Sequence, residues 1–124
     1  MVVDTSAILE VLFAGPQAEW CAHELRTAAT PGLLSAANVT EAVIILMDRR
    51  SMTAEAAMAL VDGFHLEVVP VDRSQALLAA QARLRFPLNL GDCYAYALAR
   101  QTGYAILTTD RDFRSVDVPV LLPR

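Results

Sequence analysis

Four acidic residues stand where short apolar runs end or where the following helices begin, and together they could bind metal ions. They are Asp4, Glu41, Asp92 and Asp110. Asp4 and Asp110 directly follow β-prone runs, whereas Glu41 and Asp92 lie one turn into predicted helices. Ligands of open α/β sheets bind beyond the carboxyl ends of the strands, so we expect these four side chains to converge at one edge of a sheet.

Clustered carboxylates repel one another and raise each other's pKa values unless cations bind between them. Their oxygens are the ligands that Mg²⁺ and Mn²⁺ prefer in proteins. Two such cations about 3.5–4 Å apart can activate water and stabilise both the attacking and the leaving oxygen of a phosphodiester. The pattern therefore predicts metal-assisted phosphodiester hydrolysis.

Each acid also has a purely structural interpretation. Asn38–Glu41 and Asn89–Asp92 have the spacing of helix capping boxes. Asp4 could cap the helix that follows it, and Asp110 could form an Asx turn. Taken singly, the acids leave both interpretations open, and the convergence of four acids on one edge favours a site.

The charge composition narrows the chemistry further. The 124 residues carry 14 acidic and 10 basic side chains, which gives a net charge of −4, and every basic residue is arginine. The absence of lysine excludes Schiff-base and P-loop mechanisms and argues against a haloacid-dehalogenase type of phosphatase. An acidic chain does not hold nucleic acid by its net charge, but metal ions at the carboxylates could hold a phosphate.

The pattern of apolar segments predicts one domain with a three-layer α/β/α architecture and a short central parallel sheet. Strands are predicted at 1–3, 33–34, 67–71, 105–108 and 118–122. Helices of ten or more residues alternate with them, the second extending to about Ala29 and the third beginning near Asn38. The hydrophobic fraction of 55 % excludes disorder. Without a signal peptide or an apolar run of ~18 residues, we expect a cytoplasmic protein with reduced cysteines.

The four acids lie in four short segments: Val2–Ala7, Asn38–Glu41, Leu88–Cys93 and Leu107–Phe113. Through these segments, which fall in family order, the sequence resembles the PIN-domain ribonucleases, and most of all the VapC-type toxins of bacterial toxin–antitoxin pairs. The resemblance covers essentially the whole chain, residues 1–124. It implies a PIN-like fold and an endoribonuclease that depends on Mg²⁺ or Mn²⁺ and leaves 5′-phosphate and 3′-hydroxyl ends. It also implies a homodimer that a VapB-type antitoxin holds inactive.

The resemblance also assigns roles to individual residues. The four acids named above become catalytic and metal-binding, and Thr5 or Ser6 supplies a hydroxyl that supports them. Independently of the resemblance, Thr108 could orient a metal ligand, although its position favours a structural threonine of the sheet. In many relatives the last motif ends Gly-Asp-Asp-Phe, whereas this chain has Asp110-Arg-Asp112-Phe. The offset from the phenylalanine selects Asp112, but we favour Asp110 because it is nearer to the strand end. Asp112 is then a conditional metal ligand.

Two other functions are compatible with the same residues. A catalytically silent PIN-fold binding module would keep the acids as an ion-stabilised scaffold and would cut no RNA. A magnesium-dependent phosphatase on a doubly wound sheet would hydrolyse small phosphomonoesters, although the lack of lysine argues against it.

Methionines mark a possible partner surface. Met47, Met52 and Met58 all fall in the third and fourth predicted helices. Methionine adapts to many partners, so these side chains could line a groove for an antitoxin peptide. The alternative, which the pattern favours slightly, is that they form the core of a helical hairpin.

Overall fold

A computed structural model describes all 124 residues and contains every predicted strand and helix in the predicted order. The strands are β1 (Val2–Val3), β2 (Leu33–Ser35), β3 (Glu67–Val69), β4 (Ile106–Leu107) and β5 (Val120–Leu121). The helices are α1 (Thr5–Leu12), α2 (Ala18–Thr27), α3 (Ala36–Arg50), α4 (Ala54–Asp62), α5 (Arg73–Arg85) and α6 (Leu90–Thr102). A 3₁₀ helix at Arg111–Ser115 was not predicted, and several predicted strands end one or two residues early.

The five strands form one parallel sheet in the order β3-β2-β1-β4-β5. Val2 of β1 pairs with both Leu33 and Ile106, so β1 is the central strand. Successive side chains of a strand point to opposite faces, and Val2 and Val3 accordingly enter two different hydrophobic cores. Helices α5 and α6 cover the first core, and α1 to α4 cover the second. The predicted three-layer architecture is confirmed.

The strand order places a topological switch point at β1. The chain leaves β1 towards β2 and β3 on one side, then returns through α5 and α6 to β4 on the other side. At such a point the connections diverge and leave a crevice beyond the carboxyl ends of the two central strands. Asp4 directly follows β1, and Thr108–Asp110 directly follow β4, so both reach this crevice.

The start of α3 differs from the sequence-based expectation. Ser35 is the N-cap, and its hydroxyl accepts a hydrogen bond from the Ala37 backbone at 3.2 Å. Asn38 therefore lies inside the helix, and the capping-box interpretation of Asn38–Glu41 is wrong. The reason is that β2 leads into α3 without an intervening loop. Helix α2 likewise ends at Thr27, two residues earlier than predicted.

Two smaller expectations can be compared with the packing. Met52 and Met58 pack against the second core, as a helical hairpin requires, while Met47 is 41 % exposed. Cys21 and Cys93 are buried and unpaired.

No helix combines the length and the apolar character needed to cross a membrane.

Candidate active site

The four acids meet in one cleft at the carboxyl edge of the sheet. The cleft has a volume of about 160 Å³ and is lined by Asp4, Thr5, Ser6, Leu9, Glu41, Ile45, Asn89, Asp92 and Asp110. Asp112 is exposed and does not line it. Two larger cavities, of about 340 and 320 Å³, lie at the opposite edge of the sheet and contain no carboxylate. Of the three cavities, the small cleft is therefore the one that contains carboxylates.

Asp4 is held at the end of β1 with 1 % of its surface exposed. The hydroxyls of Ser6 and Thr108 donate hydrogen bonds to its Oδ2 atom at 2.8 and 2.9 Å. Its Oδ1 atom is buried and has no hydrogen-bond partner. Although Asp4 precedes α1, its side chain makes no capping hydrogen bond, so the interpretation of this carboxylate as a helix cap is wrong.

Glu41 projects from the second turn of α3 and is fixed by two donors. Thr5 Oγ1 and Asn38 Nδ2 each donate to Glu41 Oε1 at 2.8 Å. Asn38 is fully buried and also donates to the Gly91 carbonyl at 3.0 Å, which ties α3 to the start of α6. Asn38 is thus a positioning residue that sequence reasoning missed. The available signal was an amide three residues before an acid, a spacing that lets the two side chains interact on a helix.

Asp92 serves as a cap and lines the cleft at the same time. Asn89 Oδ1 accepts a hydrogen bond from the Asp92 backbone at 2.8 Å, and Asp92 Oδ2 accepts one from the Asn89 backbone at 3.3 Å. This is the capping box that the spacing predicted. Because the box uses only one carboxylate oxygen, the structural and functional interpretations of Asp92 do not exclude each other.

Asp110 caps the 3₁₀ helix from the edge of the cleft. Its Oδ1 atom accepts a hydrogen bond from the Asp112 backbone at 2.9 Å, which is the predicted Asx-type arrangement. Its own backbone N–H donates to Thr108 Oγ1 at 3.0 Å. The structure thus brings Asp110, and not Asp112, together with the other three acids.

The four carboxylates share one pattern of hydrogen bonding. In each, protein donors occupy one oxygen and leave the other without a protein donor. The occupied oxygens are Asp4 Oδ2, Glu41 Oε1, Asp92 Oδ2 and Asp110 Oδ1. None of the four carboxylates takes part in a salt bridge. Each carboxylate is therefore oriented by the protein and retains one oxygen for another ligand.

Burial and mutual repulsion raise the pKa of two of these groups. Burial raises the pKa of Asp4 to about 6, with a further contribution from the charge of Glu41. Burial also raises the pKa of Asp92 to about 7, helped by the charges of Asp4 and Asp110. No basic side chain lines the cleft to offset them. The site concentrates negative charge that a cation would relieve.

The donor set fits Mg²⁺ or Mn²⁺. All the available donors are oxygens, and the orphaned buried Oδ1 atom of Asp4 is the kind of group that a cation would satisfy. No three acidic, histidine or cysteine side chains converge closely enough to form a complete ligand cage. Mg²⁺ keeps several of its waters and needs only one or two carboxylates, so such a cage is not required. Asp4 and Asp92 are the residues that would hold it, with Glu41 and Asp110 beside them.

We expect the metal-free protein to become more stable as the pH falls from 8 to 5. Asp4 and Asp92 have raised pKa values in the folded state, so between pH 4 and 7 the folded protein binds protons that the unfolded chain has released. Unfolding free energy therefore falls as pH rises through this window. Thermal melts in EDTA at several pH values measure the trend. The hydrogen bond from Tyr96 lowers the pKa of Asp117, so protonation of Asp117 changes the unfolding free energy only below pH 4.

The double variant Asp4→Asn/Asp92→Asn is the control for this pH trend. Without the two carboxylates the melting temperature should change much less between pH 5 and 8. A slope equal to that of the wild type would assign the trend to groups other than Asp4 and Asp92.

Gly91 is a second residue whose role only the structure shows. A methyl group at Gly91 would overlap the carboxylate of Glu41 and force it away from the hydroxyl of Thr5 and the amide of Asn38. We expect Gly91→Ala to lower the rate of the expected phosphodiester hydrolysis by roughly 10–100-fold, the range typical of residues that orient metal ligands. The melting temperature should change little, because the glutamate can rotate and alanine favours the helix. Cleavage rates and thermal melts of the purified variant measure both effects.

The matched control is Gly15→Ala, which makes the same kind of collision outside the cleft. A methyl group at Gly15 would overlap the carboxylate of Glu10, which accepts a hydrogen bond from the Gln17 backbone. Activity should be retained in this variant. Equal losses of activity in the two variants would contradict a specific role for Gly91.

Comparisons with known proteins match the sequence over almost its entire length. The sequence model of the PIN domain family matches residues 1–119. The chain is 34 % identical to the Mycobacterium tuberculosis protein "Ribonuclease VapC42", with 95 % of this chain and 96 % of that protein covered. The chain belongs to the PIN domain family. A "Ribonuclease VapC" of Mycolicibacterium smegmatis is also 34 % identical, over 95 % of this chain and 97 % of that protein.

Solved structures show the same fold for this PIN domain. The crystal structure of M. tuberculosis VapC20, described as a toxin that cleaves the sarcin–ricin loop, superposes with a TM-score of 0.80 at 18 % identity, covering 98 % of both chains. A chain of a toxin–antitoxin complex from Klebsiella pneumoniae gives 0.76 at 18 % identity, covering 99 % of this chain and 97 % of that one. The predicted PIN-like fold is confirmed.

Proposed function

We propose that this PIN domain is a divalent-metal-dependent endoribonuclease and the toxin of a type II toxin–antitoxin pair. The observation that carries the proposal is the cleft at the switch point, in which four carboxylates are each oriented through one oxygen and keep the other free. The similarity of this chain to proteins named VapC ribonucleases extends over nearly its full length and supports RNA as the substrate.

The residues of the cleft divide the work of hydrolysis. Bound Mg²⁺ or Mn²⁺ supplies positive charge that polarises the phosphate and lowers the pKa of water. Asp4 and Asp92 would hold the ion, and Asp110 adds negative charge at the rim of the cleft. Glu41, fixed through Oε1, presents Oε2 as an acceptor for the water that attacks phosphorus. As water attacks phosphorus, its proton passes to Glu41 and the bond from phosphorus to the 3′-oxygen breaks. The departing 3′-oxygen takes up a proton from solvent, so the products carry a 5′-phosphate and a 3′-hydroxyl.

The direct test is cleavage of a mixed RNA pool by antitoxin-free protein with Mg²⁺ or Mn²⁺, followed by sequencing of the new ends. We expect discrete cuts with 5′-phosphates that disappear in EDTA. Ends with a 2′,3′-cyclic phosphate would contradict the mechanism. Hydrolysis of a small phosphomonoester in place of RNA would favour a phosphatase, and metal binding without cleavage would favour a silent binding module.

The proposed partners are a VapB-type antitoxin and a second copy of the chain. Structural neighbours include a toxin–antitoxin complex and VapBC2 from Rickettsia felis, with TM-scores of 0.76 for each. On this chain, Ile44, Met47 and Leu60 of α3 and α4 are 58, 41 and 40 % exposed and offer an apolar surface to a partner. Light scattering of the purified chain tests the dimer. Because the proposed substrate is RNA, we also propose that the protein acts in the cytoplasm.

A further inference from the structure

Helices α1 and α3 pack side by side along a seam that begins at the candidate active site. Each helix starts at the carboxyl end of a strand, so the two run in the same direction away from the cleft. Three pairs, each separated by 36 positions and recurring every four residues, mark the seam. The pairs are Thr5 with Glu41, Leu9 with Ile45, and Phe13 with Arg49.

The chemical character of the seam changes along its length. The first pair is a hydrogen bond at the carboxylates, and the second consists of two apolar side chains that line the cleft. The third is a cation–π contact. A four-residue step recurs on nearly the same face of a helix, so the three pairs form a continuous surface. One surface therefore leads from a negative cleft, across an apolar floor, to positive charge.

Two arginines form the positive end of the seam. The guanidinium carbons of Arg49 and Arg50 lie 5.6 and 4.8 Å from the centre of the Phe13 ring. Arg50 also donates to the Leu12 carbonyl at 3.4 Å. Both arginines are exposed, and neither has a carboxylate partner, although Asp48 is their neighbour in the sequence.

This arrangement suits a phosphodiester backbone. A guanidinium that lies over an aromatic ring is held in place and keeps outward donors for phosphate oxygens. Arg49 is eight residues beyond Glu41, about 12 Å at the rise of an α-helix. An acidic cleft repels an RNA strand, so an attractive contact at this distance would help to hold the strand across the cleft.

We propose that Arg49, Arg50 and Phe13 form a phosphate-binding subsite for the RNA strand, one that positions the substrate along the α1–α3 seam. The proposal rests on the proposed ribonuclease function and adds the direction in which the strand leaves the cleft. The competing explanation is structural, since arginines in the last turn of α3 also complement the helix dipole.

The test compares two double variants that remove the same charge. Arg49→Gln/Arg50→Gln removes the subsite, and Arg26→Gln/Arg73→Gln removes two exposed arginines that line neither the cleft nor the α1–α3 seam. Both change the net charge from −4 to −6. Each protein is assayed with Mg²⁺ on a mixed-sequence single-stranded RNA of twelve nucleotides and on trinucleotides too short to reach from the cleft to the arginines. Binding of the 12-mer is measured by anisotropy at several salt concentrations.

We expect the subsite variant to bind the 12-mer about tenfold more weakly and to lose roughly 1.4 from the slope of log affinity against log salt, since each phosphate contact to a single strand contributes about 0.7. KM for the 12-mer should rise with kcat nearly unchanged, and cleavage of trinucleotides should not change. Arg49→Lys/Arg50→Lys should recover most of the affinity. A dipole role alone would lower the melting temperature without altering the salt slope.

Two results would overturn the subsite. The first is equal affinity and equal salt slope in the two double variants, which would leave the arginines facing something other than RNA, such as a protein partner. The second is an equal loss on 12-mers and trinucleotides. If the wild-type protein cleaves neither RNA under any metal condition, the ribonuclease proposal fails as well, so the two failures can be told apart.

Discussion

Asp4→Asn and Asp92→Asn should each lower RNA cleavage by at least about 10²-fold while making the metal-free protein more stable above pH 7. Mutation of residues that only hydrogen-bond to metal ligands typically lowers activity 10–100-fold. A larger loss is expected here, because these carboxylates would contact the ion directly. The gain is expected because burial and repulsion raise both pKa values, so each ionised group destabilises the fold. Cleavage rates and melts in EDTA measure the two effects.

Asparagine has nearly the same shape as aspartate, so these substitutions test the role of the negative charge alone. In Asp4→Asn the side-chain oxygen can still accept from Ser6 and Thr108, so the neighbouring hydroxyls keep their partner. A variant that loses activity together with stability would have lost the fold, which would contradict this assignment. Loss of activity with a higher melting temperature is the result that only a functional carboxylate explains.

Asp112→Asn is the matched control for these variants. Asp112 is exposed, lies outside the cleft, and contributes only its backbone N–H to Asp110. The substitution removes one negative charge two residues from Asp110 and leaves that hydrogen bond intact. Activity should stay within a few-fold of wild type, whereas Asp110→Asn should lose most of it. The reverse ranking would make Asp112 the fourth acid.

Divalent ions should raise the stability of the wild-type protein substantially. A ligand that binds only the folded state adds RT ln(1 + [L]/Kd), which is about 2.7 kcal/mol at a hundredfold excess over Kd. For a domain of this size the melting temperature should rise on the order of 10 °C. Thermal melts with increasing Mg²⁺ or Mn²⁺ measure the shift. It should be larger at pH 8 than at pH 5, because protons compete for Asp4 and Asp92.

The same measurement on variants assigns the ligands. Asp92→Asn should lose most of the metal-dependent shift, and Asp112→Asn should keep it. If Asp92→Asn is stabilised as much as wild type, Asp92 is only the cap of α6. Calorimetry with Mn²⁺ on the same proteins provides an independent binding constant that should rank them in the same order.

Much of the fold can be predicted from local features of the sequence. Short apolar runs alternate with helices of about ten residues, and this alternation predicts a parallel sheet covered on both faces. Asn89 caps α6 as the sequence predicts, because a cap uses atoms only two or three residues away, and Thr53 caps α4 in the same way. The ends of the strands are less predictable, since they depend on the neighbouring strands with which they pair.

The sequence also indicated that Asp4, Glu41 and Asp92 face the cleft together with an acid that follows β4, because in a parallel sheet the carboxyl ends of all strands lie at one edge. Only the tertiary structure decided how those acids are held. Asn38 reaches Gly91 across 53 residues, and Thr108 reaches Asp4 across 104. The same holds for the lack of space for a side chain at Gly91 and for the α1–α3 register that brings Phe13 to Arg49. Contacts at such separations depend on how the layers pack, so the periodicity of a single helix or strand cannot predict them.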